Sequence, residues 1–109
     1  MAKSMDLVEE IYVLTKLLPK EEVFGLSNQL RRAAVSIPSN IAEGNTRSSQ
    51  KEYARFLSVA RASEAEIETQ LEICVRIGYF NEEQTSKSLA LCIEVGKMLY
   101  SMIRKLNNQ

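Results

Sequence analysis

Arg47, Lys51 and Arg55 recur every four residues around the start of a long helical segment. Positive charges at helix-turn intervals can track the phosphates of a nucleic-acid backbone, which demands charge at matching spacing and no base reading. Arg31 and Arg32 are candidates to extend the patch. An ordinary solvated face has the same pattern, and the nearby aromatic residues, Tyr53 and Phe56, read as internal rather than as platforms for stacked bases.

Other reactive groups are few. Histidine is absent, so imidazole bases, Ser-His arrangements and the usual zinc triads are excluded. The four glycines form no phosphate-cradling loop. Cys74 and Cys92 lie on apolar stripes without companion ligands and read as small core residues. In a helical hairpin turning near Gly78 to Asn81 they stand about six residues, or roughly 9 Å, out of register, too far for a disulfide. Glu64 falls within about 30° of a buried helical line, where a carboxylate needs an arginine partner, water at an opening of the fold, or a catalytic task. These features predict no catalytic residues, no metal site and no cofactor.

The elements that would position these groups are helical. Leu7, Ile11, Leu14 and Leu18 mark a first helix from near Ser4 to Pro19. A second opens around Lys20 to Glu22 and buries Val23, Leu26, Leu30, Ala34, Ile37 and Ile41, with a kink or pause at Pro38 and a left-handed stop at Gly44. Ser49 and Glu52 stand in capping-box spacing ahead of a third helix that runs to about Ile77, roughly 43 Å. Its buried line is Tyr53, Leu57, Ala60, Ile67, Leu71 and Cys74, interrupted by Glu64. Asn81 with Gln84 caps a fourth helix running to about Leu106, predicted to face inward with Leu89, Ile93, Gly96, Tyr100 and Ile103. Short connections between long helices favour an all-α, antiparallel, up-down-up-down four-helix bundle in a single domain, residues 1 to 109. The short first helix leaves one end with three-helix cover.

Leu91, Val95, Met98 and Met102 form a second apolar stripe on the fourth helix, about 180° from the first. A helix apolar on opposite faces is normally buried on both, so this stripe, with Ile73 and Ile77, predicts an interface between copies of the chain. The competing reading is that the first helix covers it.

Fourteen basic and fourteen acidic residues cancel, which removes any net pull toward nucleic acid or an anionic membrane and leaves only local patches. Such patches exist: residues 31 to 61 hold six bases and two acids, whereas 62 to 83 hold six glutamates and one base. The N-terminus meets acids early, and no apolar run is long enough for a signal or a membrane span, so a cytoplasmic protein is expected.

The run from Leu30 to Gly44 (LRRAAVSIPSNIAEG), with Glu52, Arg55, Phe56, Ala60, Arg61, Ser63, the run Glu66 to Leu71 (EIETQL) and Gly78-Tyr79, resembles the four-helix-bundle proteins encoded in intervening sequences of bacterial 23S ribosomal RNA genes. The resemblance spans nearly the whole chain. It implies a bundle assembled into a homopentameric ring. A similar fold serves as the accessory variability protein of diversity-generating retroelements, which binds nucleic acid and a reverse transcriptase through basic surfaces. The chain departs from many relatives in placing Glu64 at an otherwise apolar position. The expectation is a non-enzymatic homo-oligomer that contacts RNA or DNA through Arg31, Arg32, Arg47, Lys51 and Arg55, or a scaffold that docks a protein partner.

Overall fold

A computed structural model describes residues 1 to 108. Four helices run from Ala2–Thr15 (α1), Leu26–Asn45 (α2), Gln50–Arg76 (α3) and Glu82–Asn107 (α4), with a short 3-10 turn at Lys20–Glu22. Each helix packs against its neighbours in sequence, and α1 closes the square against α4. Cross-helix pairs give the directions: Gln29 meets Gln70 and Ser36 meets Ser63 between α2 and α3, while Lys3 meets Glu94 and Lys87 meets Glu10 between α1 and α4. In both pairs one residue number rises as the other falls, so the helices are antiparallel.

The termini follow from local chemistry. Ser49 Oγ accepts from the Glu52 amide at 3.1 Å, and Asn81 and Gln84 exchange reciprocal bonds at 2.8 and 2.9 Å, satisfying amides that a helix start leaves without partners. Gly78, at φ 88°, adopts the left-handed conformation that stops α3. Glu22 Oε1 accepts from the Leu26 amide at 3.1 Å, so α2 begins after the 3-10 turn rather than at Lys20, and Val23 points into solvent instead of the core.

Gly44 differs from its predicted role. The helix continues through it to Asn45 without a positive φ. A Cβ there would lie 2.8 Å from Phe56 Cβ and 2.9 Å from Tyr53 Cδ1, so glycine lets α2 and α3 approach closely. Pro38 is buried inside an α2 that runs on past it.

The core is one cluster built from all four helices, including Leu7, Ile11, Leu30, Ile37, Leu57, Ile67 and Leu71. On α4 the structure corrects the predicted faces. Val95 is fully buried within its own chain, as are Cys92 and Leu99. Leu91, Met98 and Met102 are half-buried against the same core. Ile93 and Tyr100, expected inside, are 39% and 48% exposed. The two stripes are the edges of one wide arc, because α4 packs on α1 and α3 together. The small polar residues Thr85 and Ser88 at its centre, both buried, make the arc read as two faces. This stripe therefore offers no free surface at Val95. Ile73 and Ile77 do lie exposed, away from the core.

Candidate functional site

The fold converts a neutral sequence into an electrostatically polarised rod. With the bundle cut at the height of Ser36, Ser63 and Glu94, the half holding the α2–α3 turn (residues 36–63 and 95–109) contains seven bases and two acids. The other half, which includes α1 because Lys3 near its start meets Glu94, contains seven bases and twelve acids. Antiparallel packing produces this separation by bringing Arg104 and Lys105 at the end of α4 to the same end as Arg47, Lys51 and Arg55. Only the tertiary structure adds these cations to the patch.

At that end, the Arg47 guanidinium lies 4.6 Å from the centre of the Phe56 ring and 3.3 Å from Glu43 Oε2. Arg55 stands 3.6 Å from Glu52 Oε2, and Lys51 is exposed one turn earlier on α3. Exposed pairs of this kind contribute about 0–1 kcal/mol each, so phosphate oxygens can replace the carboxylates at little cost. Arg31 and Arg32 sit in the opposite half, roughly 24 Å from Arg47 along α2 by helical rise. Arg31 Nε donates to Thr15 Oγ1 at 2.8 Å and its guanidinium stacks on Tyr12 at 4.6 Å. Arg32 points the other way, into a polar hollow beside Glu66. The five sequence-predicted arginines and lysine are thus split: Arg47, Lys51 and Arg55 come together, and Arg31 and Arg32 stand apart.

Glu64 is the second unusual feature. It is 5% exposed and packs over Gly96, where any Cβ would fall 2.6 Å from Glu64 Oε1. Cys92 Sγ, on α4, donates to the Glu64 carbonyl at 3.3 Å and to Oε2 at 3.4 Å. Burial first, and then hydrogen bonding with Glu68, push the Glu64 carboxyl up to about 7, since both disfavour the anion. Among the described residues no arginine forms an ion pair with it: Arg61 stacks on Tyr100 at 4.9 Å and its charge offsets only a minor part of the shift. Ligand atoms of Glu64, Glu68 and Cys92 lie within 4.8 Å of one another, a grouping that linear spacing did not reveal. Burial and the neighbouring carboxylates raise the Cys92 thiol, which keeps its sulfur protonated and makes it a hydrogen-bond donor here. Cys74 is likewise buried and free.

A groove of about 1140 Å³ runs along the α3–α4 seam. Leu71, Val75, Leu89 and Ile93 form its apolar floor, and Glu68, Glu72, Glu82 and Glu83 its walls. Among the described residues no helix is long and apolar enough to cross a membrane.

Architecture and surface together define a closed four-helix bundle with charge segregated along its axis. The profile of the 23S rRNA-intervening sequence protein family matches residues 1–101, and the chain belongs to that family. It is similar to a solved protein of unknown function from the S23 ribosomal protein family of Bacteroides thetaiotaomicron. The two share 30% identity over 94% of this chain and 95% of that one, at a TM-score of 0.86. No curated protein matches the chain.

Proposed function

We propose that the protein is a non-enzymatic, cytoplasmic, homo-oligomeric module that grips the sugar-phosphate backbone of structured RNA or DNA with its basic end. The observation that carries this reading is the gathering of Arg47, Lys51 and Arg55 with Arg104 and Lys105 at one end of a chain whose total charge is zero. Phosphate binding requires local rather than total charge. A cyclic assembly, a pentamer by family resemblance, would repeat the basic end on one face of the ring and multiply a weak contact by avidity.

The test is fluorescence anisotropy of a labelled RNA hairpin, and of a DNA duplex of the same sequence, at about 50 and 200 mM salt. Affinity should fall steeply with salt, and Arg47→Glu combined with Arg55→Glu should abolish binding. Arg31→Glu with Arg32→Glu, in the acidic half, should change it little. Absence of binding at low salt, or equal sensitivity to both pairs, would overturn the proposal.

A further inference from the structure

At the height of Glu64 the α3–α4 seam opens into a hollow of about 620 Å³, within the size range of clefts that take small organic ligands. Its lining is sorted along the bundle axis. Arg61 on α3, with Lys97 and Tyr100 on α4, stands toward the basic end, and Glu64 and Glu68 stand toward the acidic end. Arg61 and Glu68 are separated by roughly 10 Å of helical rise, comparable with the span of one nucleotide from its phosphate to the far edge of its base. Arg104 follows Lys97 two turns later on the same flank of α4 and joins the hollow to the basic end. Among the described residues Arg61, Lys97 and Arg104 form no ion pair, so their charges are free for phosphates. The Arg61 guanidinium lies over the half-exposed Tyr100 ring, and aromatic faces and guanidinium planes both serve as platforms for unstacked bases. Packing of α4 on α3 thus brings to the basic side a stacking group that Tyr53 and Phe56 do not supply.

We infer that this hollow receives one unpaired guanine of the bound nucleic acid, its ring stacked on Tyr100 and Arg61, its Watson–Crick edge against Glu68, and its flanking phosphates on Lys97 and Arg104. This rests on the nucleic-acid binding proposed above and adds base recognition to it. The choice of base follows from the acceptors at the acidic end of the hollow. A carboxylate offers two oxygens side by side and no donor. Guanine presents two adjacent N–H groups, at N1 and N2, which one carboxylate takes in parallel. Adenine and cytosine set a single amino group beside an acceptor nitrogen, and uracil sets one N–H between two carbonyls, so each turns an acceptor toward the same oxygens. Glu68 is half-buried and hydrogen-bonded to Glu64, which the Cys92 thiol holds in turn at 3.4 Å. The accepting group is therefore positioned before a base arrives.

Fluorescence anisotropy at about 50 mM salt tests the pocket with three labelled RNA hairpins that differ only at the centre of a uridine loop, which holds guanosine, inosine or uridine. Inosine lacks the 2-amino group and cannot engage both carboxylate oxygens. Wild-type protein should bind the guanosine loop at least about fivefold more tightly than either of the others, the discrimination of one bidentate base contact. Glu68→Gln and, separately, Tyr100→Leu should each bring the three affinities within about twofold of one another. The readout is a ratio of affinities within one protein, so a general change in phosphate attraction cancels. Neither side chain belongs to the buried core, and circular dichroism checks that each variant folds. No binding of any hairpin would overturn the nucleic-acid reading itself and this pocket with it. Binding that does not favour guanosine over inosine, or a guanosine preference that survives either substitution, would overturn the pocket and leave the backbone contact standing.

Discussion

Replacing Glu64 by glutamine should stabilise the protein above neutral pH and do progressively less as the solution is acidified. The carboxyl titrates near 4.5 when unperturbed and near 7 in the folded chain. Between those values the native state holds a proton that the unfolded chain has released, so native stability falls as pH rises through the interval. Each pH unit costs about 1.4 kcal/mol for a fully displaced group. Over the whole interval the penalty is of order 3 kcal/mol, fully expressed above pH 7 and absent below about 4.5. Glutamine mimics the protonated side chain and its amide can donate to Glu68, so the variant escapes the penalty. The assay is guanidinium unfolding followed by circular dichroism at a series of pH values, at matched assembly state. The readout is the difference between variant and wild type, in which contributions of carboxylates that do not touch Glu64 cancel. A difference that is flat from pH 4.5 to 8.5 would refute the assignment of a buried, unpaired carboxyl at this position.

Val95→Asp should unfold the chain or cost more than about 3 kcal/mol, because the side chain is buried in its own core; clean conversion to a folded monomer, seen by light scattering with retained ellipticity, would contradict that placement. Gly96→Ala should displace the Glu64 carboxyl, the flexible far end of its side chain, and the helix propensity gained should hold the net change within about 1 kcal/mol, with non-additivity against Glu64→Ala in a double-mutant cycle reporting the contact. Gly44→Ala should cost about 1–3 kcal/mol at the α2–α3 contact with Phe56 and Tyr53, measured by the shift of the denaturation midpoint. Ser49→Ala should cost about 1 kcal/mol by removing the α3 cap, with no effect on nucleic-acid affinity.

Much of the bundle is legible in the linear chain because helical periodicity and punctuation are local. Leu7, Ile11 and Leu14 announce α1; Ser49, Asn81 and Gly78 mark boundaries by bonds to backbone within a turn of themselves. The buried lines of α2 and α3 follow from spacing as well. Glu64 was conspicuous for the same reason, since a carboxylate on an apolar line departs from its neighbours.

What spacing could not supply is which neighbour each face meets. The arc of α4 read as two stripes because its buried centre includes Thr85 and Ser88, and only contact with α1 and α3 together makes it one face. Gly44 and Gly96 are alike as letters, yet one admits Phe56 and Tyr53 and the other the Glu64 carboxyl. The sequence by itself determined four amphipathic helices, their caps and the segregation of bases and acids into blocks, because those properties are carried by residues within a few turns of one another. The tertiary structure decided that Arg104 and Lys105 join Arg47 while Arg31 stands apart, and that Cys92 covers Glu64. Antiparallel packing sets those distances, and no single helix contains them.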